Sequence, residues 1–101
     1  MPSTVIERDA LLEVTAGNLA LLVRDGHISS LLAGSLVVAL VQADDAGDLR
    51  GMRWIADEVE RGRRMFRGLE AAEGLTPEAA TMGRMFAIST LRAILTPSGD
   101  A

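Results

Sequence analysis

Ile28-Ser-Ser-Leu-Leu-Ala-Gly-Ser-Leu-Val-Val-Ala-Leu-Val-Gln-Ala43 is a run of sixteen residues without one charge, closed by Asp44 and Asp45. Ser29 or Ser30 can cap a helix over about residues 29 to 43. On a helical wheel Leu32, Leu36, Leu40, Val37, Val41 and Val38 cover most of the circumference, and Ser35, Ala39 and Gln42 form only a narrow polar or small arc. A helix apolar nearly all round belongs in a core or a membrane.

A bilayer-spanning helix needs roughly 20 apolar residues. This segment is shorter, holds three serines and a glutamine, and has acids rather than a basic cluster at its C-terminal flank. The expectation is a core helix and no membrane insertion. Three companion helices in a monomer leave one side of such a helix facing water. A second copy would cover that side, so a homodimer or higher oligomer is expected, with Leu32, Leu36, Val37, Leu40 and Val41 at or near the interface.

Outward from this segment the chain is punctuated as helices. The first spans about residues 4 to 25: Ser3 or Thr4 caps it, Glu7 completes a capping box with Thr4, and Gly26 stops it. Val5, Leu12, Ala16, Leu19 and Val23 are its expected buried stripe, joined by Leu11 and Leu22. The third runs from about 48 to 73, with Met52, Ile55, Ala56, Val59, Phe66 and Leu69 on its apolar side and a kink expected if Gly62 breaks it. The fourth, about 76 to 95, opens with Thr76 as cap, Pro77 in the first turn and Glu78 favouring the dipole. Ala79, Met82, Phe86, Ala87, Leu91, Ile94 and Leu95 are its expected buried side. Residues 97 to 101 read as a loose tail. Strand and hairpin signals are nearly absent. The expected fold is all-α: one domain over residues 1 to 101, a four-helix up-down bundle or a compact orthogonal variant, with the apolar second helix at its centre.

Composition narrows the function classes. With 49% hydrophobic and 24% charged residues in a chain of 101, the body is not disordered. The net charge of −4 argues against a general nucleic-acid binder, which carries a basic footprint. All ten basic residues are Arg, a usage that fits a GC-rich bacterial or phage genome. The chain has no Cys, hence no disulfide, thiol nucleophile or sulfur-ligated metal. Glu7, Arg8 and Asp9 stand where a secretion signal would be basic and then apolar, so a cytoplasmic location is expected.

Catalytic chemistry finds few carriers. His27 is the single histidine, and the acids near it, Asp25, Asp44, Asp45 and Asp48, flank turns, where capping and solvation are their ordinary roles. No metal, no cofactor and no catalytic residue is expected. An enzyme would have to work through Arg and Glu, with a pocket converging Arg63, Glu70 and another charge.

Two features of the third helix point to binding. Asp57 with Arg61 and Glu60 with Arg64 read as solvated i,i+4 pairs. Arg63 and Glu70, however, fall on the apolar arc with Met52 and Val59, so either the helix breaks at Gly62 or both charges meet partners inside an interface. Trp54 lies on the edge shared with Glu58, Arg61 and Met65, a composition typical of protein-binding hot spots, unless a neighbouring helix covers it.

Leu75-Thr-Pro-Glu-Ala-Ala followed by Ser89-Thr-Leu-Arg92 resembles the helix-turn-helix of excisionase-type DNA-binding proteins, with Ala79 and Gly83 at the small-residue and turn spacing. The resemblance implies a DNA-binding regulator using helix four. Ser89-Thr90 comes about two residues late, and Met85-Phe86-Ala87 offers no turn, so a continuous helix is expected. The leading expectation is a non-enzymatic protein-protein interaction module: a regulator, adaptor or phage-type inhibitor acting by steric binding. Its partner-binding residues are Trp54, Glu58, Arg61 and Met65, with Arg63 and Arg64 beside them. DNA binding and Arg/Glu catalysis are the alternatives.

Overall fold

The structure, a computed structural model, describes residues 2 to 96, with side chains from residue 5 onward. The expected tail and the side chains of the Ser3 or Thr4 capping box lie outside what is described, and the α1 backbone is helical from Pro2, ahead of the expected start near Thr4. Four helices, α1 (Pro2–Arg24), α2 (Ser30–Asp45), α3 (Leu49–Ala71) and α4 (Pro77–Arg92), are followed by a 3-10 turn (Ala93–Leu95). No strand occurs among the described residues, and no helix there is long and apolar enough to cross a membrane.

The helix ends follow from local chemistry. Ser29 Oγ accepts the Leu32 N–H at 3.1 Å, Asp48 Oδ1 accepts the Gly51 N–H at 2.9 Å, and Thr76 Oγ1 accepts the Ala79 N–H at 3.1 Å. Each satisfies one of the donors that a helix N-terminus leaves without an intrahelical partner. Gly26 and Gly47 close α1 and α2 with φ of +78° and +70°. In both turns the next N–H reaches back to the helix, His27 to the Leu22 carbonyl at 2.9 Å and Asp48 to the Ala43 carbonyl at 2.8 Å.

Paired side chains give the chain directions. Arg8, early in α1, meets Asp44, late in α2, so these two run antiparallel. Glu7 meets Arg53 and Asn18 meets Arg63, so α1 and α3 run side by side in the same direction. The molecule measures 50 × 32 × 20 Å.

The element at the centre is α3, not the apolar α2. It packs against α1, α2 and α4, because Met52, Ile55, Val59, Gly62 and Phe66 recur at three-four spacing and are all buried. The apolar α2 buries only Ala33, Leu36 and Leu40. The helix does not break at Gly62: α3 runs unbroken from Leu49 to Ala71, and the missing side chain makes room for Leu91.

Two expected buried stripes are displaced. In α1, Val5 and Ala16 are exposed, while Thr15 and Asn18 are buried beside Leu19 and Leu22. The face that α1 turns to α3 is therefore partly polar. In α4, Ala79, Met82 and Phe86 point outward, whereas Ala87 and Leu91 are buried, continued by Ile94 in the 3-10 turn. The reason is close approach. A Cβ on Gly83 would lie 2.5 Å from Leu69 Cδ2, so α4 presents small residues to α3, and its larger apolar side chains are left outside.

Candidate functional site

The side of α3 that carries Trp54 lies open. Trp54 is 48% exposed, and one and two turns on come Glu58 and Arg61, whose charged atoms are 3.8 Å apart. This i,i+3 pair replaces the expected Asp57–Arg61 pair. Glu60 and Arg64 form the expected i,i+4 contact at 2.7 Å. Met65, half-buried, continues the line towards α4, where the Thr90 hydroxyl lies 3.9 Å from its sulfur.

Beyond Met65 the edge opens into an apolar groove between α3 and α4, lined by Met65, Gly68, Leu69, Gly83 and Phe86, with a volume of about 310 Å³. Phe86 is 62% exposed, and Met82 and Met85 on the same helix are 71% and 63% exposed. Three large apolar side chains within two turns thus stand in water. Methionine is flexible and polarisable, and surfaces rich in it adapt to varied partners. The sequence carried a signal for this surface. Two stripes run along α4, Ala79–Met82–Phe86 and Gly83–Ala87–Leu91–Ile94, and only one can face α3.

Arg63 does not belong to this edge. It points the other way, where its Nη1 donates to Asn18 Oδ1 at 2.8 Å. Glu70, one turn of α3 past Phe66, places a carboxylate oxygen 3.2 Å from His27 Nε2. The His27 ring stacks on Phe66 with centroids 4.4 Å apart and planes 13° from parallel. Both charges on the apolar arc are thus met within the chain, by polar groups of α1 and of the turn after it.

Arg63 and Glu70 do converge, with Asp25, His27 and Arg67, on a recess of about 90 Å³. That is room for about three waters at roughly 30 Å³ each. Arg63 is held by Asn18, and the Glu70 carboxylate lies against His27. The Arg63–Asn18 bond ties α3 to α1 there. Among the described residues no group of three or more His, Asp or Glu is placed to hold a metal.

The residues expected at a homodimer interface divide. Leu36 and Leu40 are fully inside the chain's own core, Leu32 and Val37 are half-buried, and Val41 is exposed. The outer surface of α2 is built instead from Leu31, at 82% exposure, Val38, at 54%, and Val41. Leu31 and Val38 border a shallow groove of about 630 Å³ that Leu95 of the 3-10 turn walls on its far side.

Two ion pairs lie near the start of α1. Arg53 grips Glu7 through two hydrogen bonds, Nε to Oε2 at 2.6 Å and Nη2 to Oε1 at 2.9 Å. These bonds, with the attraction of the guanidinium, hold the Glu7 carboxyl below the usual glutamate range. Arg8 clasps Asp44 and also donates to its backbone carbonyl at 2.9 Å, capping the end of α2.

The chain matches no protein-family model, no curated protein and no solved structure.

Proposed function

We propose that the protein is a non-enzymatic protein-protein interaction module, a regulator, adaptor or inhibitor that acts by occupying a surface of its partner. The observation that carries this reading is the cluster of Met82, Met85 and Phe86, exposed on α4 beside the α3–α4 groove. Monomeric proteins rarely leave contiguous apolar patches of this kind, and those they keep commonly mark binding sites. The half-exposed Trp54, with Arg61 and Met65, extends the same side and supplies the residue types of a binding hot spot.

The same reading includes self-association. Leu31, Val38 and Val41 give α2 an uncharged outer face, and a second copy is the occupant proposed for it. The alternatives fare less well on geometry. Helix-turn-helix DNA binding needs a break near Met85, and α4 is continuous from Pro77 to Arg92. Arg/Glu catalysis has its converging charges, but Arg63 is already bonded to Asn18, and Glu70 lies 3.2 Å from His27.

The test is capture of partners from the source organism with three baits: the natural chain, Trp54→Ala, and Phe86→Ser. A partner held in stoichiometric amount by the natural chain and lost by either variant, with unchanged melting temperatures, supports the reading. Identical captures by all three baits would sink it.

A further inference from the structure

We infer that the outer face of α2 takes a second copy of this chain, with the two α2 helices crossing antiparallel about a two-fold axis at Val38. This rests on the self-association reading above and specifies its geometry. Leu31, Gly34, Val38, Val41 and Asp45 recur at spacings of three and four, a seam along the solvent side of α2 like that of a coiled coil. Gly34 has no neighbour within 4 Å of where its Cβ would lie, so nothing inside the chain requires a glycine at this point of the helix. A helix laid along the seam would use that space, since small residues let two backbones approach.

Charge selects the occupant and its direction. The seam itself is uncharged, but its two ends are not. Asp45 stands exposed at the C-terminal end, and Arg92 lies beside Ser29, Leu31 and Ser35 at the N-terminal end. Neither has an ion-pair partner among the described residues, whereas Asp44 is engaged by Arg8. Val38 is midway between Leu31 and Asp45, so antiparallel pairing about it sets Leu31 against the partner's Asp45. Each Arg92 then faces the partner's Asp45, and that carboxylate also meets the positive end of the α2 dipole. Parallel pairing would oppose Asp45 to the partner's Asp45, and like charges across an interface are penalised.

The absence of cysteine permits a direct test with single-cysteine variants of the full chain, alongside light scattering of the natural protein. Val38→Cys, at the axis, should form an intermolecular disulfide under mild oxidation. Leu31→Cys should not pair with itself, but should pair with Asp45→Cys when the two proteins are mixed. Asp45→Arg removes both symmetry-related pairs and should weaken the dimer roughly two- to thirtyfold, as expected for two ion pairs at a solvent edge, and adding Arg92→Glu should restore it. Self-pairing of Leu31→Cys as fast as that of Val38→Cys would overturn the antiparallel geometry. A dimeric natural chain in which neither Val38→Cys nor the mixed pair cross-links would overturn this face while leaving self-association standing. A monomer at high micromolar concentration would overturn both.

Discussion

Leu91 of α4 occupies the space that a side chain on Gly62 of α3 would need: a Cβ there would lie 2.9 Å from Leu91 Cδ2 and 3.0 Å from its Cγ. The relation is reciprocated at the other end of the contact, where Leu69 of α3 fills the hollow at Gly83 of α4. Two large-into-small contacts therefore fix how α4 lies on α3. They also decide which of its two apolar stripes is left to the solvent.

The glycines should respond oppositely to alanine. Gly17→Ala in α1, with open space around it, should gain up to about 1 kcal/mol from helix propensity alone. Gly62→Ala has the same gain, but overpacks a fully buried Leu91 at a cost of about 1–3 kcal/mol. Thermal melts should rise for the first and fall for the second, by several degrees in each case.

Thr15 is 1% exposed, and its hydroxyl has no hydrogen-bond partner. An unsatisfied buried hydroxyl costs about 1–3 kcal/mol. Thr15→Val keeps the β-branched shape and removes that group, so chemical denaturation should show stabilisation of about 1 kcal/mol. A loss of stability would mean that the hydroxyl is paired in solution.

The two phenylalanines should separate sharply. Phe66, 1% exposed and stacked on His27, should cost about 3–5 kcal/mol when changed to Ala. That is a large share of the 5–15 kcal/mol typical of a whole domain. Phe86→Ala, on the outer stripe of α4, should stay within about 1 kcal/mol. Equal losses in urea titrations would place Phe86 in a core.

Acid should loosen the start of α1. The Glu7 carboxyl is depressed by its hydrogen bonds to Arg53, so the unfolded chain binds a proton there at higher pH than the folded one. Its stabilising contribution is complete above the ordinary glutamate pKa of about 4.3, and is lost as pH falls through the lower folded value. NMR titration should find the Glu7 midpoint below that figure, and Arg53→Ala should return it there.

The sequence by itself determined the number of helices and nearly all their ends, because these are local. Ser29, Asp48 and Thr76 accept from N–H groups three residues on, and Gly26 and Gly47 take the left-handed turn that closes a helix. It also marked Arg63 and Glu70 as charges out of place on an apolar arc, since periodicity alone shows that. Tertiary structure decided what met them. Asn18 and His27 lie far away in sequence and are brought to α3 only when α1 packs along it. It decided, too, that α3 and not the more hydrophobic α2 is central, because burial depends on which faces fit, and hydrophobicity along the chain does not contain that. The outer face of α4 follows from the same cause. Once Gly62 and Gly83 had drawn α3 and α4 together, Met82, Met85 and Phe86 had no face of their own chain left to cover them.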